Sequence, residues 1–185
     1  TTESGRLTTW VGVGGSPQSV VRAARHELPL MIAIIGGDSV RFRPFVDLYH
    51  RVLDESGSPR LPVGVHSPGH LAPTDEEAKE QLYPHLKKMR DRIGAERGWG
   101  PMTPGEFEAM AAPGGSLYVG SPETVAAKIA ATATALDLSR FDLKYSHGTL
   151  PHAAMMRSIE LYGTEVIPRV RELLTAAEET APVGV

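Results

Sequence analysis

Four times along this chain an apolar, β-branched run gives way to a glycine-containing turn and then to a helix, and that recurrence limits the fold more than any other feature. The first run, 8–13 (Thr8-Thr9-Trp10-Val11-Gly12-Val13), stops at Gly14-Gly15. Ser16 then supplies an N-cap, and Pro17 suits the first helical position. The second, 30–35 (Leu30-Met31-Ile32-Ala33-Ile34-Ile35), ends in Gly36-Gly37, with Asp38 or Ser39 placed to cap a helix bearing Phe42, Phe45, Val46, Tyr49 and Leu53. The third, 62–66, passes through a turn at Ser67-Pro68-Gly69-His70 to a helix opened by Thr74 and Glu77 at capping-box spacing, running to about Ile93 and kinked at Pro84. The fourth, 140–145, alternates apolar and polar residues and leads through Ser146-His147-Gly148 into a helical region from Leu150 to Ala177, divided at Gly163 and Pro168. Strand, turn and helix repeated in this order build right-handed parallel βαβ units. A closed (β/α)8 TIM barrel needs eight of them in about 250 residues. Four units in 185 residues predict an α/β fold that is half of such a barrel, with about four parallel strands.

The reading is of a single partial-barrel domain, 1–185. A stretch rich in Gly, Pro and Met at 94–119 is expected to be an irregular insertion with one helical turn near Glu106 to Met110. A helix restarts at Ser121-Pro122, carrying Val125, Ile129, Ala133 and Leu136, with no convincing strand before it. The tail from Thr180 to Val185 reads as frayed.

Composition narrows the function classes. Basic and acidic residues, 19 and 22, are dispersed and leave a net charge of −3, so there is no footprint for nucleic acid or an anionic membrane. The absence of cysteine excludes disulfides, thiolate metal sites and a cysteine nucleophile, and predicts a cytoplasmic protein. The longest apolar run, Leu28 to Ile35, is too short to span a bilayer, and Thr1 to Arg6 has no signal-peptide character. Neither H-E-x-x-H nor G-x-S-x-G occurs, which disfavours zinc and serine-nucleophile chemistry; no metal is expected.

The segment with the clearest chemistry is Gly14-Gly15-Ser16-Pro17-Gln18-Ser19. Two glycines let the backbone approach a ligand, the following helix offers free N–H groups and the positive end of its dipole, and Ser16 and Ser19 add hydroxyls, a combination that binds phosphate. An ordinary capped turn accounts for the same residues equally well. Gly36 and Gly37 fall on the mouth of a barrel among the ligand-binding loops. His66, His70, His147 and His152 lie in or near strand C-terminal turns; His66 and His147 are the candidates for proton transfer or hydrogen bonding at a catalytic face, polar loop histidines being the plainer account of each. A nucleotide-binding doubly wound domain is a further alternative, with Gly12, Gly14 and the ribose-binding acid imitated by Asp38, although Pro17 stands where its third glycine belongs.

Taken together, Trp10-Val11-Gly12-Val13-Gly14-Gly15-Ser16-Pro17, the strand from Pro29 to Gly37, Gly120-Ser121-Pro122-Glu123-Thr124-Val125 and Ser158-Ile159-Glu160-Leu161-Tyr162-Gly163 resemble luciferase-like flavin-dependent monooxygenases. The likeness spans nearly the whole chain and is similar in order and spacing to the C-terminal half of those barrels. It implies reduced FMN, or deazaflavin F420 in sister groups, at the barrel mouth beside a small-molecule substrate, with the phosphate near Gly14, Gly15 and Ser16. The family's first four strands have no counterpart here, so the resemblance assigns no catalytic residue. A half-barrel with two unpaired edges is expected to associate with a missing half or with itself as a homo-oligomer. A non-catalytic, self-associating half-barrel that binds a phosphate-bearing ligand is the second reading, and the NAD-binding domain the third.

Overall fold

Parallel pairing carries the chain through β1 (Val11–Val13), β2 (Leu30–Ala33), β3 (Val63–Leu71) and β5 (Arg140–Lys144), in that spatial order, with β4 (Tyr118–Gly120) joined to the far end of β3. This computed structural model describes Glu3, Gly5 and residues 7–180. The register aligns Val13 with Ile32, Ile32 with Val65 and Val65 with Phe141. Between the strands lie α1 (Pro17–Arg25), a 3-10 turn (Ser39–Phe42) with α2 (Arg43–Glu55), α3 (Asp75–Arg97), α4 (Pro104–Ala111) and α5 (Pro122–Leu136). After β5 come α6 (His152–Leu161), a π-helical segment (Tyr162–Val166) and α7 (Ile167–Thr180). The barrel strands never reverse order, so the sheet lacks the switch point at which a doubly wound fold holds a dinucleotide. It is half of a (β/α)8 barrel.

Strand alternation sorts the side chains. Val13, Ile32 and Val65 pack on Val20, Ala24, Val46, Tyr49 and Leu53 from the helices, each large side chain contributing roughly 1.5–3 kcal/mol on burial. The Tyr49 hydroxyl keeps a partner by donating to Leu28 O at 2.7 Å. Gly12, Met31, Ala33 and His66 alternate onto the other face and are less buried than Val13, Ile32 and Val65.

Four expectations are corrected. The turn expected at Ser67 to His70 is strand: β5 pairs with β3 as far as Pro68, and β4 takes over from Gly69 to Leu71. Gly69 makes this possible, because a Cβ there would collide with the Tyr118 carbonyl oxygen and a Leu143 methyl. The stretch 94–119 is more ordered than an irregular insertion: α3 extends through Pro84 to Arg97, α4 has a full capping box between Thr103 and Glu106, and β4 precedes the Gly120-Ser121-Pro122 turn. The box read at Thr74 and Glu77 forms only by half. Thr74 Oγ1 accepts from Glu77 N at 3.2 Å, while the Glu77 carboxylate accepts instead from Gln81 Nε2 at 2.8 Å. Finally, the helix near Gly163 and Pro168 does not break. Pro168 has no N–H to give, and the turn before it widens into the π segment, keeping Leu161 and Val166 buried against α5. Residues 181–185, read as a frayed tail, lie outside the described residues. Among the described residues no helix is long and apolar enough to cross a membrane.

Candidate functional site at the C-terminal ends of the strands

Gly14 and Gly15 leave β1 into solvent, and Gly15 takes φ +111, a conformation that L side chains rarely adopt. Ser16 follows as N-cap of α1, its Oγ accepting from Ser19 N at 3.4 Å and donating to Gln18 Oε1 at 3.0 Å. One turn on, Arg22 donates to Ser19 Oγ at 3.3 Å. The first turn of α1 holds no acidic residue. The loop therefore presents a helix N-terminus, two hydroxyls and a guanidinium with no opposing carboxylate in that turn. Gly36 and Gly37 leave the neighbouring strand beside it, both exposed, Gly37 at φ +79; Asp38 is occupied as a cap, Oδ1 accepting from Val40 N at 3.0 Å.

The same local sequence occurs again. Gly120, Ser121, Pro122 and Thr124 match Gly15, Ser16, Pro17 and Ser19 position for position. Gly120 also has a positive φ, +153, and Ser121 also caps its helix with an acceptor bond from Thr124 N, at 3.4 Å. In this second turn the chain supplies its own anion. Asp75 Oδ1 accepts from Ser121 N at 2.6 Å and Asp75 Oδ2 from Thr124 Oγ1 at 2.9 Å. Burial by itself would raise the Asp75 pKa, but the Ser121 N–H, the Ser121 and Thr124 hydroxyls and Lys79 outweigh it and hold the carboxyl below its ordinary value. Glu123 is paired with Arg169 at 2.9 Å. No hydrogen bond to the Ser16 N–H is formed among the described residues.

The candidate histidines part company. His66 lies half-buried on that second face, in register with Ala33 and Asp142. It lines a cavity of about 560 Å3 beside β5, walled by Asp142 and Lys144 from one face of the strand, Phe141 and Leu143 from the other, and Ser158 and Tyr162 beyond. His147 points inward, 1% exposed, its Nε2 donating to Gly69 O at 3.0 Å. Burial pushes its pKa down to about 4. His70 is fully buried against Gln81 and His152 is exposed at the start of α6. Sequence reasoning missed Asp142 and Lys144, although the alternation it noted across 140–145 places both on the face of His66. It also missed Asp75, whose partner turn lies 46 residues away and leaves no local signal. Deeper on the same face, Arg140 sits over the Trp10 ring at 5.4 Å, and Met31 and Trp10 close over Gly64, where a Cβ would meet Met31 Cε at 2.8 Å. Among the described residues no group of three or more His, Cys, Asp or Glu could hold a metal ion.

The family profile described as luciferase-like monooxygenase matches residues 3–138. No curated protein matches significantly. Among solved structures, the monooxygenase RslO1 from Streptomyces bottropensis is 20% identical with a TM-score of 0.69, over 86% of this chain and 47% of that one. The oxygenating constituent of 3,6-diketocamphane monooxygenase from the CAM plasmid of Pseudomonas putida, a type II Baeyer-Villiger monooxygenase in complex with FMN, is 21% identical with a TM-score of 0.64, over 87% and 48%. The coenzyme F420-dependent tetrahydromethanopterin reductase from Methanopyrus kandleri is 17% identical with a TM-score of 0.54, over 87% and 50%. The chain thus spans about half the length of the solved structures it matches, and likeness at these identities is likeness of fold.

Proposed function

The chain belongs to the luciferase-like monooxygenase family, and on that premise we propose that it forms the phosphate-binding half of the mouth of a flavin-dependent oxidoreductase. The Gly14–Ser19 turn holds the cofactor phosphate, of FMN first and coenzyme F420 as the alternative. One observation carries this reading: of two matching Gly-Ser-Pro turns, one is closed by the Asp75 carboxylate and the other is open. An anion on Ser16 N and Ser19 Oγ would repeat what Asp75 does at Ser121 and Thr124, and Arg22 adds the positive charge a phosphate needs.

The bound flavin would supply oxygen activation or hydride transfer at its ring. The chain's own part would be to hold the phosphate end at Gly14, Gly15, Ser16 and Ser19, with Gly36 and Gly37 as further cofactor-binding residues, and to offer His66 for hydrogen bonding or proton transfer to a small substrate. His147 is proposed to stand outside that chemistry, its Nε2 being spent on the main chain and its ring shielded from solvent. The protein is proposed to work in the cytoplasm.

The test is a comparison of FMN with riboflavin by fluorescence titration, on the complete native protein. FMN should bind at least about tenfold more tightly, as expected for charge-assisted bonds to a phosphate. Ser16→Asp, which puts a carboxylate where the phosphate would sit, should abolish the difference and leave riboflavin affinity unchanged. Equal affinity for the two flavins in the unmodified protein would overturn the reading.

A second reading rests on the sheet edges. Among the described residues β1 and β5 each have a neighbour on one side only. Further strands are proposed to complete the barrel there, from a second copy or from more of the same polypeptide, and catalysis is proposed to require them.

A further inference from the structure

Residues 145–151 connect β5 to α6 and cross from the cavity wall to α3. Two imidazoles pin them. His147 Nε2 donates to Gly69 O at 3.0 Å, and His85 Nδ1, from α3, bonds Thr149 Oγ1 at 2.9 Å. Gly148, at φ +58, lies against Met89, so close packing and a turn only glycine adopts easily complete the attachment. Tyr145 and Ser146, at the near end, form part of the wall of the 560 Å3 cavity.

Behind this segment the hydrogen bonds do not close. A carbonyl can only accept, so His147 carries its proton on Nε2 and its Nδ1 is a bare lone pair, buried and without a partner in hydrogen-bond geometry. His70, fully buried, is in the same position. Gln81 donates through Nε2 to Glu77, leaving its Oε1 to accept from His70 Nε2 at 2.8 Å, so His70 Nδ1 is a second buried lone pair without a partner. Each ring fits while neutral. Protonation would add a buried N–H with no acceptor in hydrogen-bond geometry, only the Lys144 main chain near His147 favouring it, and a charge in a poorly solvated place.

We propose that residues 145–151 are a strap that acid opens: protonation of His147, and with it His70, releases the segment from Gly69 and removes one wall of the cavity beside β5. The inference goes beyond the flavin reading and does not depend on it.

The surroundings favour the neutral rings. Burial is the main cause of the low His147 pKa, and Lys144 on β5 and His70 on β3 add repulsion, which the main chain at Gly69 and Lys144 offsets in part. His70 is likewise lowered, first by burial and then by His85 on α3, against Gln81 and Glu77. An imidazole held below its ordinary value favours the closed state fully above about pH 6.5 and progressively less as the pH falls toward about 4. Each proton taken up on opening multiplies the open population about tenfold per pH unit in that window.

Hydrogen exchange on the full chain tests this. Protection of the amides of residues 146–150, corrected for intrinsic rates, should fall about a hundredfold or more between about pH 6.5 and about pH 4.5. The β2 amides should stay protected. His147→Gln keeps a donor near Gly69 O without a titrating group and should largely flatten the dependence. Unchanged protection, loss together with β2, or the same loss in His147→Gln would each overturn the proposal. Ring 15N shifts of the unmodified protein give a second measurement should the variant fail to fold. They should report the Nε2–H tautomer of His147 at neutral pH and a change that coincides with loss of protection; titration near pH 6.5 with the strap still protected would count against it.

Discussion

Asp75 begins α3 and reaches across to begin α5, so one carboxylate serves two helix starts. Removing it in Asp75→Ala leaves the Ser121 N–H and the Thr124 hydroxyl without their acceptor and should cost about 1–2 kcal/mol in urea denaturation, the scale of a lost N-cap. The pH dependence has a definite sign. Its pKa is depressed in the folded protein, so its contribution is present above the ordinary carboxylate range and is lost as acid protonates it. The difference between the two proteins should therefore be full near neutrality and shrink below about pH 4. Constant destabilisation down to the acid limit would mean that Asp75 acts only through packing. None of this was legible locally, because a carboxylate in a first helical turn reads as an ordinary helix start whatever it touches at a distance.

At the scale of elements, the short helix α4 owes its attachment to Lys128 on α5. The Lys128 ammonium, 9% exposed, donates to Ala112 O at 2.6 Å, Leu117 O at 2.9 Å and Ala111 O at 3.3 Å, and lies 5.1 Å from the Tyr118 ring centre. It thereby serves the carbonyls at the end of α4, where the helix dipole favours a cation. Burial lowers its pKa to about 8, so it is still largely charged at neutral pH. Lys128→Met retains the aliphatic stem but leaves three carbonyls without that donor. The expected result is a loss of about 1–3 kcal/mol and faster amide exchange in α4 and residues 112–117 ahead of β2; exchange unaltered in α4 would show that other contacts hold it. The sequence hid this because α4 and β4 are short and stabilised from elsewhere. The first two βα units, by contrast, announce themselves through apolar runs, Gly-Gly stops and caps that lie side by side in the chain.

For the whole molecule, the proposed addition of further strands would act at β1 and β5, which among the described residues each have a neighbour on one side only. Cavities of about 560 and 280 Å3 both take in Phe141 and Tyr162 beside β5, and Ile159 and Tyr145, which line the larger, stand exposed. An apolar surface alongside an open strand is a place for another strand to add. Ile159→Asp should therefore lower the self-association seen by sedimentation equilibrium at micromolar concentration while leaving far-UV circular dichroism unchanged; a protein that is monomeric before the change would remove the second-copy form of that reading. By itself the sequence determined the parallel βαβ order, the half-barrel size and the Gly14–Ser19 turn, because these rest on short-range periodicity, capping and the conformational freedom of glycine. Only the tertiary structure decided that His147 faces inward while His66 lines the cavity beside β5, that β3 runs on through Pro68 and Gly69, and that Asp75 closes one of two matching turns. Those outcomes depend on which distant residue arrives to pair with a group, and no local pattern carries that information.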